Sequence, residues 1–254
     1  MDDKERNWFI SRMEDLSDRA DQTGYMVFSD FLDGYQQNLL REIQRHLRVE
    51  VSFYGGYEGA ERRIASFYPS FLQVQDEDYP VKALLVMPKA PQFLVKLPGH
   101  RDYLGALTGL GVKREKLGDI LLQEQGAAFV FAKEDMASYI QGALTSVGAA
   151  EVSVEVREGA VTVQEPRGKL ILVSLASLRL DALLSKGFAI SRGDAAKWIA
   201  AGKVQKNWRD CAAGDEPIRE GDVVTLRGMG RIKCVEEKGR SKSGRIQLMI
   251  ERFS

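Results

Sequence analysis

Apolar residues recur at helical spacing at the start of the chain. Trp8, Phe9, Met13 and Leu16 form a stripe that predicts a first helix. Phe31-Leu32-Asp33 leads into a second, with Leu39, Leu40, Ile43 and Leu47 on one face. Val49 to Phe53 alternates like a short strand. Gly55-Gly56-Tyr57-Glu58-Gly59 is a turn, and Ala60 to Phe67 reads as a helix ended by Pro69.

The middle of the chain repeats a simple order. Val81 to Met87 predicts a strand closed by Pro88, and a second short strand is expected at Phe93 to Leu97. His100 to Leu110 reads as a helix, stopped by Gly109 and Gly111. Asp119 to Gln123 and Ala127 to Ala132 are strands around a Gln-Glu-Gln-Gly turn. Lys133 to Val147 is a helix and Glu151 to Val156 a final strand. The order β-α-β-β-α-β is the ferredoxin-like plan, shared by many RNA-recognition domains.

The last third opens with a strand at Leu170 to Val173. A short helix carries Leu180, Leu183 and Leu184, and a second starts at Ser191 with an S-x-x-D cap. Strands follow at 203–206, 223–227, 231–236 and 245–250. The expected architecture is α+β in three parts: an α/β domain over 1–77, a ferredoxin-like domain over 78–165 and a third domain over 168–254.

Charge sharpens this division. Residues 1–77 carry net −6, residues 78–165 net −2 and residues 166–254 net +8, although the whole chain of 254 residues is neutral. A basic C-terminal part beside an acidic N-terminal one points to nucleic acid. No apolar run reaches the ~20 residues of a membrane helix. The charged start has no apolar segment behind it, so a cytoplasmic protein with no membrane partner is expected. Two cysteines, Cys211 and Cys234, do not make a disulfide framework, and with His46 and His100 they lack zinc-ligand spacing. No cofactor motif is found.

The C-terminal third contains Arg179-Leu180-Asp181, Ser191-Arg192, Gly202-Lys203-Val204, Asn207 and Gly221-Asp222. This series resembles the S-four RNA-binding domain. The resemblance implies an RNA surface of Arg179, Ser191, Arg192, Lys197, Lys203, Lys206 and Asn207. A free N-terminus of the second helix is expected to meet phosphate. The usual V-x-V-N-G is replaced here by Val204-Gln205-Lys206-Asn207-Trp208. Lys238 to Arg245 reads as a flexible hairpin whose Arg240, Lys242 and Arg245 either reach phosphates or form a solvated turn.

Three further stretches, Gly55 to Arg62, His100 to Leu107 and Gly109 to Ile120, are similar to the YlmH family of bacterial proteins with a C-terminal S-four domain. The similarity runs over nearly the whole chain. It implies non-enzymatic RNA binding on the ribosome, with contacts to ribosomal RNA of the large subunit, to tRNA, or to both. Rescue or quality control of stalled large subunits is the implied setting. The alternatives are a pseudouridine synthase-like RNA-modifying enzyme and a cell-division adaptor whose acidic first domain takes a protein partner.

Several motifs mimic catalysis. His100-Arg101-Asp102 lacks the Asn five residues on that a kinase loop needs. It reads instead as a helix start, with His100 as cap and Asp102 favoured by the helix dipole. Gly109-Leu110-Gly111 has Arg114 where a dinucleotide fingerprint needs glycine. Arg101, Lys113, Arg114 and Lys116 either touch RNA or are solvated helix ends, and the second reading is favoured. Phe129 and Phe131 share a strand face; packing against the two helices is favoured over base stacking.

Overall fold

The computed structural model describes residues 3–253 apart from 158, 160, 162–167 and 242. The chain divides into two compact units, drawn from residues 1–165 and 166–254. The class is α+β, with antiparallel pairing in every sheet. No described helix is long and apolar enough to cross a membrane.

The first unit begins with α1 (Asp3–Thr23), β1 (Val27–Leu32), α2 (Gly34–Ile43), β2 (Glu50–Tyr54) and β3 (Arg63–Tyr68). The strands form a sheet in the order β1-β3-β2. Phe9 and Met13 of α1 and Leu39 and Leu40 of α2 pack on Leu32, Ala65 and Phe67. Trp8 lies off this face, 62% exposed, with the Arg12 guanidinium 5.4 Å from its ring centre. Asp33 caps α2 reciprocally: its carboxylate accepts from the Gln36 N–H, and Gln36 Oε1 accepts from the Asp33 N–H, both at 2.9 Å.

Two expectations fail here for one reason. Residues 60–67 are not a helix, because Arg63–Tyr68 is the central strand β3. β1 has no counterpart in the sequence reading. Both strands are covered on both faces: Ala65 and Phe67 pack toward the helices, while Ile64 and Phe31 enter a second cluster. A strand buried on both faces loses the polar–apolar alternation that marks a strand.

The chain continues with β4 (Val81–Pro88), α3 (His100–Gly109), β5 (Leu117–Leu122), β6 (Ala128–Lys133), α4 (Glu134–Ala143), β7 (Ser146–Val147) and β8 (Ala150–Arg157). The sheet order is β5-β6-β4-β8-β7. Its first four strands, with two helices on one face, are the ferredoxin-like arrangement. Leu84, Val86 and Val130 meet Tyr103 and Leu107 of α3 and Ile140 of α4. The expected strand at 93–97 is absent; Pro91–Phe93 forms a 3-10 turn. The helix expected to run to Val147 stops at Ala143, and β7 turns back through Gly148 at φ +57°. The N-cap of α3 is Gly99 rather than His100, with the Gly99 N–H donating to Asp102 Oδ2 at 2.8 Å.

The boundary expected near residue 77 separates two sheets within one compact unit. The helix-free face of the second sheet carries Ala83, Leu121 and Phe131, packed with Phe31, Tyr57, Ile64 and Tyr79. Phe131 is fully buried, its ring centre 4.9 Å from that of Tyr57. Packing is therefore the role of Phe131, but its neighbours are on the face opposite the helices. Glycine makes the contact possible. A Cβ on Gly56 would stand 2.4 Å from Phe131 Cδ1, and one on Gly118 2.7 Å from Phe31 Cε1.

Two polar clusters seal this seam. The Asp119 carboxylate accepts from the Tyr57 hydroxyl at 2.8 Å, the Glu61 N–H at 2.7 Å and the Arg62 N–H at 3.2 Å. At the second, Asp30 receives Arg12 at 2.7 Å, Lys116 at 2.9 Å and Lys133 at 3.1 Å. Lys116 is thus not a solvated helix end.

The second unit comprises β9 (Lys169–Leu175), α5 (Leu180–Gly187), α6 (Arg192–Ala200), β10 (Val204–Lys206), β11 (Arg209–Asp210), β12 (Val223–Leu226), β13 (Gly230–Arg240) and β14 (Ile246–Phe253). The sheet runs β11-β10-β12-β13-β14-β9. Leu180, Leu183, Ala195 and Ile199 pack on Val204, Val224, Ile232 and Ile250. Cys211 and Cys234 are buried free thiols, each pushed up to about 12 chiefly by burial.

Two outcomes test the seam. Gly56→Ala should destabilise the first unit by about 3 kcal/mol in urea unfolding, since the new methyl meets a buried ring at φ +99°. Burial alone would raise the Asp30 pKa, but Lys116, Lys133 and Arg12 outweigh it and hold the carboxyl at about 2, below the ordinary 3.8. Its contribution is therefore complete above pH 3.8 and lost as the pH falls toward 2. Acid unfolding followed by circular dichroism should show this loss, and Asp30→Asn should flatten it.

Candidate nucleic-acid interface

α5 and α6 form a helical hairpin whose turn passes through Ala189 at φ +56°. Ser185 Oγ donates to the Ile190 carbonyl at 2.8 Å and fixes the turn. Ser191 then caps α6, its hydroxyl oxygen accepting from the Asp194 N–H at 3.0 Å. The helix N-terminus is not left free as expected. The Asp194 carboxylate accepts from the Ser191 hydroxyl at 2.7 Å and stands 3.5 Å from the Lys197 ammonium. The Ser191 hydrogen bond, against a small opposing effect of burial and with help from Lys197, holds Asp194 below its ordinary pKa. A fixed anion thus already occupies the first turn.

The sequence-predicted residues fall into two groups. Arg192, Lys197 and Lys203 are exposed on α6 and just after it. Arg192 has no ion pair with a described residue. The Lys203 ammonium sits 4.6 Å from the Trp198 ring centre, an interaction that orients it while leaving its charge facing water. Arg240 and Arg245 are also exposed, but the hairpin is tighter than expected. β13 runs to Arg240, which pairs with Ile246, and the Ser241 N–H donates to the Arg245 carbonyl at 2.7 Å. Lys242 lies outside the described residues.

The second group is spent on the fold. Arg179 pairs with Asp181 at 3.1 Å. Lys206 reaches Glu216 at 2.7 Å and the Pro217 carbonyl at 2.8 Å. The Asn207 amide donates to Asp222 at 2.7 Å and accepts from the Val223 N–H at 2.9 Å. These contacts tie the R-L-D, N and G-D motifs into one lattice. They also explain how Lys206 stands where the family pattern has valine. Asn207 and Trp208 take φ +49° and +64°, the left-handed pair of a tight hairpin turn between β10 and β11. Asparagine tolerates that region; tryptophan is strained there.

The sequence reading missed Arg227. It lies across from Lys203, its N–H donating to the Lys203 carbonyl at 2.9 Å, and its exposed guanidinium stands 3.3 Å from Asp210. Only strand pairing brings it there, so no local spacing announces it.

Comparison with known proteins places both halves. A model described as "Putative RNA-binding domain in YlmH" matches residues 75–160, and the S4 domain model matches residues 178–224. A Bacillus subtilis (strain 168) protein, "Ribosome-associated protein quality control protein P2", is 29% identical over 250 residues, covering 98% of this chain and 96% of its own.

The chain carries the YlmH-type RNA-binding domain followed by an S4 domain, and is similar to the Bacillus subtilis protein over nearly its whole length.

A solved structure, "Cell division protein ylmH from Streptococcus pneumoniae", shares its fold with a TM-score of 0.51 at 18% identity, over 62% of this chain and 93% of that one. The S4 match takes in Arg192, Lys197 and Lys203, whereas Arg240 and Arg245 lie beyond it. The chain therefore carries an S4 domain with an exposed cationic helix.

One substitution tests the turn. Trp208→Gly should relieve the left-handed strain and stabilise the second unit by about 1 kcal/mol. Asn207→Ala should cost about 1–2 kcal/mol by leaving Asp222 and the Val223 N–H without their partner. Thermal unfolding of both variants checks the opposite signs.

Proposed function

We propose that this protein binds structured RNA on the ribosome, without chemistry of its own, in rescue or quality control of stalled large subunits. The observation that carries the reading is the exposed row Arg192, Lys197 and Lys203 on a rigid helical hairpin in the S4 domain. Cations on a fixed surface suit phosphates held in a folded RNA, and recognise shape more than sequence. The Bacillus subtilis relative's description supports the ribosomal setting. Ribosomal RNA of the large subunit and tRNA are the partners this reading assigns, and the cytoplasm is the location.

The enzymatic alternative has less support. Asp102, the carboxylate nearest to a catalytic motif, accepts from the Gly99 N–H at 2.8 Å as a helix-capping group. Asp102→Asn should therefore lower stability without abolishing any RNA modification.

Sedimentation with ribosomal particles is the test. The wild-type chain should travel with a subunit at low salt and leave it as salt rises. The log–log salt slope should be ~0.7–0.9 per phosphate contacted. Arg192→Glu with Lys203→Glu should lower that slope by about 2 and leave the protein near the top of the gradient. Equal sedimentation of the two proteins would overturn the assignment of this surface.

A further inference from the structure

Two guanidinium groups meet in the first unit without a carboxylate at ion-pair distance from either among the described residues. Arg62 Nε donates to the Leu117 carbonyl at 2.9 Å, and its Nη2 to the carbonyls of Phe31 at 3.0 Å and Arg114 at 3.3 Å. Arg114 Nη1 donates to the carbonyls of Leu117 at 2.9 Å and Gly118 at 3.0 Å. Both side chains are half-buried, and each lies in the other's repulsive field. Burial first, and Arg62 second, push the Arg114 pKa down to about 10, against the pull of Asp119 and Asp33.

The two arginines differ in what they leave over. Arg62 spends its Nε and Nη2 edge on backbone carbonyls, so it is a fixed strut. Arg114 spends only Nη1. Its Nε–H and Nη2–H groups have no partner among the described residues. That edge is the side of a guanidinium that matches two oxygens of a phosphate. A half-buried cation beside another cation costs free energy, which an incoming anion offsets.

The surroundings narrow the ligand. Lys113, next to Arg114, is exposed, as are His100 and Arg101 at the start of α3, and His100 lies in the field of Arg114, Asp119 and Glu61. A spread of cations on an open surface suits a continuous polyanion better than a small phosphate ester. The Phe131 face, on which an RNA-recognition domain would stack bases, is closed by Tyr57 and Phe31. A phosphate grip at the sheet's edge remains where base stacking is blocked.

We propose that Arg114, with His100 beside it, grips a phosphodiester of RNA, and that Arg62 is the positioning residue that holds Arg114 in place. The site is separate from the S4 surface, and the choice of RNA over another polyanion rests on the RNA-binding reading above. It gives the domain that the RNA-binding model matches over residues 75–160 a named point of contact.

The two histidines make a clean probe. Imidazole resonances of the full chain would be followed by NMR during addition of a short RNA hairpin and, separately, of adenosine monophosphate at equal phosphate concentration. RNA should move the His100 signals and raise its titration midpoint by about one pH unit, because a phosphate next to it favours the imidazolium. Burial and Arg114 lower that pKa in the free protein, while Asp119 and Glu61 oppose them. His46 should not move.

Arg114→Gln should abolish the response while the thermal transition remains. Should that variant fail to fold, Arg114→Lys keeps the charge but loses the two-donor edge, and should reduce the response at least twofold. A His100 response to adenosine monophosphate as large as that to RNA would overturn the polyanion. RNA binding seen by gel shift with His100 unmoved would overturn this site and leave the S4 reading intact. Absence of any RNA binding by the full chain would overturn both.

Discussion

The first unit depends on a buried carboxylate that three donors from one short segment converge upon. Asp119 stands on β5, and the groups that satisfy it come from residues 57–62. Burial pushes its pKa up; the Tyr57 hydroxyl and the backbone N–H groups of Glu61 and Arg62 pull it back, against repulsion from the Glu61 charge. An unpaired carboxylate there would cost several kcal/mol. The turn that precedes β3 is therefore bound to the edge of the second sheet. Arg62 completes the bond by reaching Phe31 on β1 and Leu117 on β5. With those ends fixed, Phe31, Ile64 and Phe131 pack into one buried cluster between the sheets.

The S4 unit solves a different problem with the same materials. Its motif residues divide by task. Arg179 pairs locally with Asp181, while Lys206 and Asn207 hold the β10 end of the small sheet to Glu216 and Asp222. Arg192, Lys197 and Lys203 stand outside that lattice. A motif read as one RNA-binding series is thus half scaffold and half exposed cationic surface. Substitutions in the two halves should differ in kind: one set changes folding, the other changes the salt dependence of binding.

Much of this was legible from pattern alone. The stripe of α1, the β-α-β-β-α-β order and the S4 hairpin all follow from periodicity and capping residues. β1 and β3 were not legible as strands, since Phe31 and Leu32, or Ile64 and Ala65, point to opposite apolar layers. Nor was the pairing of Tyr57 with Asp119, which are 62 residues apart. The stretches Gly55 to Arg62 and Gly109 to Ile120 stood out in the sequence, but only the folded chain brings them to one seam. Charge was a poor guide to availability. Lys116 and Lys206 look like surface cations in sequence, yet each is claimed by a carboxylate.

The ladder between β9 and β14 sets an order of events during synthesis. Lys169 to Leu175 pairs with Ile246 to Arg252, so the first strand of the S4 unit finds its neighbour in the last one made. Contacts this distant close slowly and late. The first unit holds all its own strand partners and can fold while translation proceeds. The S4 unit must wait, with β9 an exposed edge, until residue 252 has emerged. A nascent copy of this protein therefore carries an incomplete S4 sheet until its β14 strand has been made.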